Sequence, residues 1–355
     1  MKKYIAALVL AVTVGGSWLA YSYFAAGPVA SESKPAQEVR YSASGQKLFW
    51  AKIRHNQVTG ELPVNDVLQA RLDAKHYAGL GLRGALNLDW EEMGPDNQGG
   101  RTRAILIDKD NPNKMFAGGV SGGLFVSNNA GASWDRVPGS DDFDNHIVNC
   151  IAQAANGNIY FGTGELFPGF ATGTGSNGAG GFVGNGIWRS NDGGQTWVNI
   201  KAPAVSNSTT DPWAFVHDMK RDGADGNKIW VGNNAANTAD GLFTIDATND
   251  NVSPFAGMAN GAVHDIECGS DGSVHVAKGR PGSSTQYYRK KAGESTFAGV
   301  SIPNATSLTR LNIAIAPSNP NVLYYAGVFS QNGDVLRGVW HTADAGDNFT
   351  QIAGQ

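Results

Sequence analysis

Short runs of apolar residues alternate with polar, glycine-containing turns along most of this chain. Each run is roughly four to eight residues long, which is the length of a β-strand and too short for a typical helix. The runs fall into groups of four, and the groups begin near residues 102, 147, 214, 262 and 308. Repeated units of this kind, roughly 45–65 residues apart, predict an all-β fold: a β-propeller made of four-stranded blades.

Three of the five units share one turn sequence between their last two strands. The middle copy, Ser190 to Trp197, is a full match to the Asp-box turn of BNR-type propellers, and the other two copies resemble it in part. In such a turn a carboxylate or amide accepts backbone N–H groups, the glycine supplies a positive φ, and the aromatic residue packs between neighbouring sheets. We therefore predict a structural role for these residues. They are Ser127, Asn129, Gly131 and Trp134 in the first copy, Ser190, Asp192, Gly194, Thr196 and Trp197 in the second, and Asp344, Gly346 and Phe349 in the third.

The N-terminal part of the chain has the pattern of an export signal. Lys2 and Lys3 precede an uncharged stretch that runs from Tyr4 to Ala26. This pattern predicts a cleaved signal peptide or a retained membrane anchor over residues 1–30. The polar linker is predicted over 31–60, a short helical segment over 61–87, and the propeller repeats over 88–355. The propeller is therefore expected in the periplasm, on the outer surface or secreted, with the N-terminal segment as its one contact with a membrane.

One further strand is predicted before the first unit. Residues 88–93 resemble the last strand of a blade, although the fifth unit already has its own last strand at 348–352. The sequence therefore predicts five full blades and one additional strand. We expect either a chain shorter than its relatives or a ring that stays open or closes irregularly, which would leave apolar blade faces exposed.

Composition narrows the range of functions. The chain has 27 Lys and Arg against 31 Asp and Glu, a net charge of −4, and no basic stripe typical of nucleic-acid binding. Its 47 glycines suit many tight turns. Cys150 and Cys268 fall on the first strands of non-adjacent units, so we expect unpaired, buried thiols. No cofactor and no metal ion is expected.

Several sequence segments resemble the sortilin/BNR-repeat propellers of exported bacterial proteins. They are Trp90–Pro95, Gly99–Ala104, Asn111–Asn113, Gly118–Gly123 and Ile159–Glu165. The resemblance covers about 88–355 and implies the propeller fold. It does not choose an activity, because this superfamily includes xyloglucanase-like glycoside hydrolases, sialidases, sortilin-type receptors and many non-catalytic surface proteins.

Two departures from the enzyme families weaken a catalytic interpretation. The xyloglucanase-like enzymes carry an aspartate just before the Gly-Gly of the first blade, where this chain has Gly119, Val120 and Ser121. The Phe/Tyr-Arg-Ile-Pro motif of sialidases is absent from the sequence.

The residues that open each innermost strand of a propeller meet at one mouth of the central channel. We predict a polar pocket there for a sugar or an anion, although the same side chains can instead satisfy buried backbone groups. The predicted pocket residues are Arg101, Arg103, His146, His217, His264 and Arg310. Trp213 lies in a loop and is predicted to be exposed, where it could stack on a sugar.

Glu165 is the candidate general acid or base at this mouth. It precedes a glycine-rich insertion, residues 167–185, that is predicted to form a flap. Hydrolysis would need a second carboxylate roughly 5–10 Å away, and the candidates are Asp218 and Asp265. The structural alternative is that Glu165 is a hydrogen-bonded turn residue without a catalytic role.

Two functions follow from these observations. The first is an exported scaffold or binding module whose partner is a polysaccharide or a surface protein. The second is a glycoside hydrolase that uses Glu165 with Asp218 or Asp265.

Overall fold

The computed structural model describes residues 73, 76–77, 101–120, 122–140, 143, 147–165, 183–204, 211–233, 241–258, 261–279, 284–330 and 334–354. Contacts divide the chain into Met1–Ile53 and Arg54–Gln355, and all described residues belong to the second unit. The predicted signal, the linker and the strand at 88–93 lie outside the described residues. Asp73, His76 and Tyr77, within the predicted helical segment, are helical. No helix within the described ranges is long and apolar enough to span a bilayer.

The described residues form twenty strands in five sheets. Blade 1 contains β1 (Thr102–Ile107), β2 (Met115–Gly119), β3 (Gly123–Ser127) and β4 (Asp135–Arg136). Blade 2 contains β5 (Val148–Gln153), β6 (Ile159–Thr163), β7 (Ile187–Ser190) and β8 (Val198–Lys201). Blade 3 contains β9 (Val216–Arg221), β10 (Lys228–Asn233), β11 (Leu242–Asp246) and β12 (Asn251–Pro254). Blade 4 contains β13 (Val263–Cys268), β14 (Val274–Lys278), β15 (Gln286–Lys290) and β16 (Ala298–Val300). Blade 5 contains β17 (Arg310–Ala316), β18 (Asn319–Ser330), β19 (Asp334–Thr342) and β20 (Thr350–Gly354).

In every blade the four strands follow chain order and pair antiparallel with their neighbours. The predicted fold class is therefore confirmed, and each sheet begins within two residues of its predicted start. The first strands of successive blades contact one another in order, from β1 through β5, β9 and β13 to β17. This arrangement makes them the innermost strands of the propeller.

The hydrophobic core lies between the faces of neighbouring blades. Between blades 1 and 2, for example, Phe116 of blade 1 lies in one cluster with Phe161 and Trp188 of blade 2. The rings of Phe161 and Trp188 are stacked with their centroids 6.2 Å apart. The backbones approach closely at these junctions because a glycine on the second strand of one blade faces a valine on the first strand of the next. The three pairs are Gly118 with Val148, Gly162 with Val216, and Gly232 with Val263. A Cβ on Gly162 would lie only 2.8 Å from the Val216 Cβ, so the junction has no space for a larger residue.

The three repeated turns share one hydrogen-bonding arrangement. The hydroxyl of Ser127, Ser190 or Thr342 donates to the carboxamide or carboxylate two residues later. The same hydroxyl accepts the N–H of the glycine four residues later, at 2.7–3.0 Å. Each of these glycines has a φ between 84° and 91°. The predicted structural role of the turn residues thus has a direct physical basis.

The aromatic residue of the turn packs toward the preceding blade. Trp197 of blade 2 contacts Phe116 of blade 1 at 6.4 Å between ring centroids, and Phe349 of blade 5 contacts Tyr287 of blade 4 at 6.2 Å. Trp134 of blade 1 is different, because it is 40% exposed. The expectation that it packs between two sheets is wrong among the described residues, since none of them forms a blade before blade 1.

Candidate functional site

Four innermost strands carry a β-bulge at the same level. The register shifts between Thr102 and Ala104, between Val148 and Cys150, between Val216 and Asp218, and between Val263 and Asp265. A bulge inserts one residue into a strand and redirects its side chain, and bulges are frequent beside functional sites. The inserted residues are Arg103, Asn149, His217 and His264. Blade 5 continues in regular register through Arg310 and Leu311.

One of these inserted residues, Arg103, contacts Glu165, which follows β6. His217 bonds to Arg103, its ring contacts that of His264, and Asn149 donates to its backbone carbonyl oxygen. Glu165 is 1% exposed and forms ion pairs with Arg101 and Arg103; the Arg103 Nη1 donates to Oε1 at 3.1 Å. Gly164 directly before it has a φ of 92°, and its backbone lies against Ala214, so a side chain at Gly164 would collide with that backbone. We use the term mouth cluster for the set Arg101, Arg103, Asn149, Glu165, His217, His264 and Arg310.

Burial and the surrounding cations act in opposite directions on Glu165. Burial raises the pKa of Glu165 above its ordinary value, while the charges of Arg101, Arg103 and Arg310 act to lower it. A carboxylate held between two guanidinium groups gains strong, charge-assisted hydrogen bonds. Glu165 therefore serves as the internal counter-ion that fixes the two arginine side chains.

Both histidines of the mouth cluster are buried and neutral. Burial, together with the charge of Arg103, lowers the pKa of His217 well below its ordinary value, and burial lowers the pKa of His264 to about 4. Arg103 donates to the Nε2 atom of His217 at 3.2 Å, and the two imidazole rings lie edge to face with centroids 6.4 Å apart. The ring nitrogens of His264 bond to the backbone of Gly279 and Leu311. His264 thus joins blade 4 to blade 5.

Some buried polar atoms beside this cluster have no hydrogen-bond partner among the described residues. They are the Oδ1 atom of Asn149, the Nδ1 atom of His217, and both amide atoms of Asn233 at the end of β10. Asn149 does use its Nδ2 group, which donates to the carbonyl oxygens of Val216 and His217. Buried polar groups in folded proteins nearly always have partners, so this concentration of unpaired atoms is typical of a site that receives a ligand or water.

The two aspartates predicted as partners of Glu165 make backbone contacts. Asp218 accepts the N–H of Ile266 on the neighbouring innermost strand at 2.8 Å, and Asp265 accepts the N–H of Ile313 in the same way. Each aspartate therefore links its blade to the next one. This is the structural interpretation that the sequence left open for polar residues at the mouth.

Further along the same strands the channel side chains are mostly acidic. Lys220 binds Glu267 at 3.0 Å and acts electrostatically on Asp218 and Asp265. Burial raises the pKa of all three carboxyl groups, and for Asp265 the charge of Asp218 adds to this effect. The described part of the chain contains no group of three or more His, Cys, Asp or Glu side chains placed to hold a metal ion.

The remaining predicted residues have different outcomes. Trp213 is 6% exposed and packs on Phe243 at 4.5 Å, so the expectation of an exposed, sugar-stacking ring is wrong. His146 and most of the predicted flap lie outside the described residues. Cys150 and Cys268 are unpaired, as predicted; Cys150 is buried and Cys268 partly buried.

Asn149 was missed at the sequence level. Its signal is the alignment of Val148-Asn149-Cys150 with Val216-His217-Asp218 and Val263-His264-Asp265, in which the middle residue is the one inserted by the bulge. The residue predicted in this unit is the nearby His146.

A cavity of about 400 Å³ lies between blades 4 and 5, and none of its lining residues belongs to the mouth cluster. Its lining combines Tyr287 and Val300 with Leu308 and Leu311. Leu311 also bonds through its backbone to the His264 ring, so this residue borders both places.

No family model and no curated protein matches this sequence. Among solved structures, a GH74 enzyme from Niastella koreensis has a TM-score of 0.54 at 18% identity, over 71% of this chain and 38% of that chain. A GH74 xyloglucanase from Xanthomonas campestris has a TM-score of 0.45 at 17% identity, over 72% of this chain and 45% of that chain. YCF48 from Cyanidioschyzon merolae has a TM-score of 0.42 at 11% identity, over 71% of this chain and 84% of that chain. The likeness to the Niastella enzyme supports the propeller fold, and this chain spans well under half of that enzyme's length.

Proposed function

We propose that this chain is an exported propeller of the Asp-box type that binds carbohydrate at its mouth cluster without hydrolysing it. The observation that carries the proposal is a cluster in which Arg103, Asn149, His217 and His264 come from four equivalent bulges and Arg103 is ion-paired with the buried Glu165. Guanidinium, amide and imidazole groups are well suited to hydrogen-bond sugar hydroxyls. The fold likeness to a GH74 enzyme adds support for a carbohydrate ligand.

The contacts of the carboxylates favour binding over hydrolysis. Glycoside hydrolysis requires one carboxyl group that donates a proton and a second one that acts as base or nucleophile. Glu165 is ion-paired with Arg101 and Arg103, while Asp218 and Asp265 accept backbone N–H groups. All three candidates are thus already engaged in contacts that stabilise the propeller.

The test combines affinity and hydrolysis measurements on one panel of plant and microbial polysaccharides that includes xyloglucan. The full chain and its Glu165→Gln and Arg101→Gln variants would be compared after each shows a cooperative melt. We expect binding without release of reducing ends, and weaker binding by Arg101→Gln. Arg221→Gln, at the opposite end of β9 and exposed, is the matched control.

Two results would contradict the proposal in different ways. Release of reducing ends that disappears in Glu165→Gln would make the protein a glycoside hydrolase. Absence of binding to every polysaccharide in the panel would overturn the carbohydrate proposal and would favour a protein partner.

The export proposal rests on Lys2, Lys3 and the uncharged stretch that follows them. Expression of the full chain in a bacterial host should place it outside the cytoplasm. Replacement of both lysines by glutamate should retain it inside, because the positive n-region directs export. Cytoplasmic accumulation of the unmodified chain would contradict this part of the proposal.

A further inference from the structure

The described charged groups of the mouth cluster are mostly cationic. Arg101, Arg103 and Arg310 contribute three guanidinium groups against the single carboxylate of Glu165. Arg310 lies close enough to Glu165 and His217 for its positive charge to lower the pKa of both groups. The channel beyond the cluster is acidic in character, because the carboxyl groups of Asp218, Asp265 and Glu267 lie around the single Lys220 there.

This separation of charge indicates where an anionic group would be held. A negative group is attracted to the arginines at the mouth, whereas the acidic side chains further along the strands offer it one cation, Lys220, that is already bonded to Glu267. A polymer carrying such a group would therefore lie across the mouth, with the charged substituent directed at the arginines, and would not enter the channel.

The arginines are also ordered in advance. Glu165 is bonded to both Arg101 and Arg103, and Arg103 is bonded in addition to His217. A guanidinium group has five N–H donors, so it can bind a carboxylate and a second acceptor at the same time. The Arg101 side chain is 50% exposed and is accessible from solvent. Fixing these side chains before binding removes part of the entropic cost of association.

The tautomer of the neutral His217 ring places a donor next to the cations. Because arginine can only donate, the Nε2 atom of His217 must accept, and the hydrogen of the neutral ring is on Nδ1. This Nδ1–H group has no partner among the described residues, although His217 is only 4% exposed. An unpaired donor beside cationic side chains is suited to an anionic acceptor.

We propose that the mouth cluster recognises an anionic substituent of a polysaccharide, either a uronate carboxylate or a sulfate ester. This inference rests on the proposed carbohydrate-binding function and specifies the class of its ligand. Both substituents present paired oxygen acceptors that match the fork of a guanidinium group.

The experiment uses chemically matched probes with the full chain. Polygalacturonate and carrageenan oligosaccharides would each be titrated beside the carboxyl-reduced or desulfated form of the same sugar. We expect the charged form of at least one pair to bind about tenfold or more tightly than its neutral form, since a charge-assisted contact is worth about one order of magnitude in affinity. The affinity should fall as salt is raised. The pair that shows the difference distinguishes carboxylate from sulfate.

The variants locate the effect. Arg310→Gln and Arg101→Gln should each reduce the preference for the charged form several-fold, while Arg221→Gln, with the same loss of charge, should preserve it. Equal affinity for charged and neutral forms would overturn this inference and leave the carbohydrate proposal intact. Binding of neither form, together with failure of the polysaccharide panel, would overturn both. An equal loss in Arg221→Gln and Arg310→Gln would show that the anion acts through overall charge and not through the mouth cluster.

Discussion

Replacement of Asp192 by alanine tests whether the repeated turn stabilises the propeller through its hydrogen bonds. The Asp192 Oδ1 atom accepts from the Ser190 hydroxyl at 2.7 Å and from the N–H groups of Gln195 and Thr196 at 2.9 and 3.0 Å. Its Oδ2 atom accepts from the Thr196 hydroxyl. Alanine removes all four contacts.

The expected cost follows from the number and the exposure of these bonds. Asp192 lies at the surface, so water can replace part of what is lost and each bond contributes about 0.5 kcal/mol, the low end of the usual range. The sum is about 2 kcal/mol, which is also the upper value for removal of a capping side chain. In a domain of this size that lowers the Tm by roughly 4–8 °C, measurable by calorimetry.

Asparagine at the same position is the matched control. In the first turn Asn129 already occupies the equivalent place, where its Oδ1 atom accepts from Ser127 and from the Ser133 N–H, and its Nδ2 group donates to the Ser133 hydroxyl. Asp192→Asn should therefore cost less than about 1 kcal/mol. If alanine and asparagine are equally destabilising, the negative charge is the stabilising factor and the argument from hydrogen bonds is wrong.

The pH dependence gives an independent check on the same residue. Its slight burial acts to raise the pKa of Asp192, but the hydrogen bonds from Thr196, Ser190 and Gln195 hold it well below the ordinary value of 3.8. The resulting stability is present above the unfolded-state pKa and is lost as the pH falls below it. The difference in Tm between the native chain and Asp192→Ala should be full at neutral pH and should shrink below about pH 4.

Three other substitutions test the core and the channel. Gly162→Ala should lower the free energy of unfolding by about 2 kcal/mol, because the added methyl group collides with the next blade. Gly122→Ala is the control: its methyl group would make only ordinary contacts at 3.5 Å, so the same denaturant titration should show almost no change. An equal loss in both variants would contradict the close-approach argument. Trp230→Phe removes a fully buried indole whose Nε1–H donates to Asp222 at 2.7 Å. The free energy of unfolding should therefore fall by about 2 kcal/mol. An unchanged free energy of unfolding would show that this bond is dispensable. Burial raises the pKa of Asp265 in the folded state well above its ordinary value. The contribution of Asp265 to stability is therefore full at a pH below the unfolded-state pKa, and it is lost as the pH rises through the pKa of the folded state. Asp265→Asn should therefore gain stability relative to the native chain as the pH rises above about 4, and a constant difference would refute this sign.

The blades were predictable because their signals are local. The start of each blade could be predicted to within two residues because strand length, turn composition and the repeated turn are encoded in neighbouring residues. The hydroxyl, the Asp or Asn, and the glycine of each turn bond to one another within five residues of chain. Such contacts need no knowledge of the rest of the fold.

Burial of aromatic side chains was less predictable because it depends on the neighbouring blade. Trp213 lies in a polar loop by sequence, yet Phe243 and the Lys201 side chain cover its ring. Trp134 has the same local sequence context as Trp197, but no described blade precedes it. A local pattern specifies which side chain is available for packing, and the adjacent sheet decides whether it is buried.

The site was only partly predictable for a related reason. The sequence places Arg103, His217 and His264 in one predicted cluster because polar residues recur at the starts of units. Asn149 was missed, because recognising it requires the bulge register, which is a property of paired strands. The ion pairs of Glu165 join two blades, and sequence spacing alone does not reveal them.

The glycine-to-valine contact between blades has a consequence for how such a protein can evolve. Because three successive junctions use the same pair of residue types, a duplicated blade inserted there would meet a compatible neighbour on each side. Recombination could then change the number of blades without a new interface having to arise, as in other repeat proteins whose units interact with their nearest neighbours. The junction between blades 4 and 5 differs, since Ala277 occupies the glycine position and pairs with Asp265. Blade exchange should therefore be tolerated among the first four blades and resisted at the fifth.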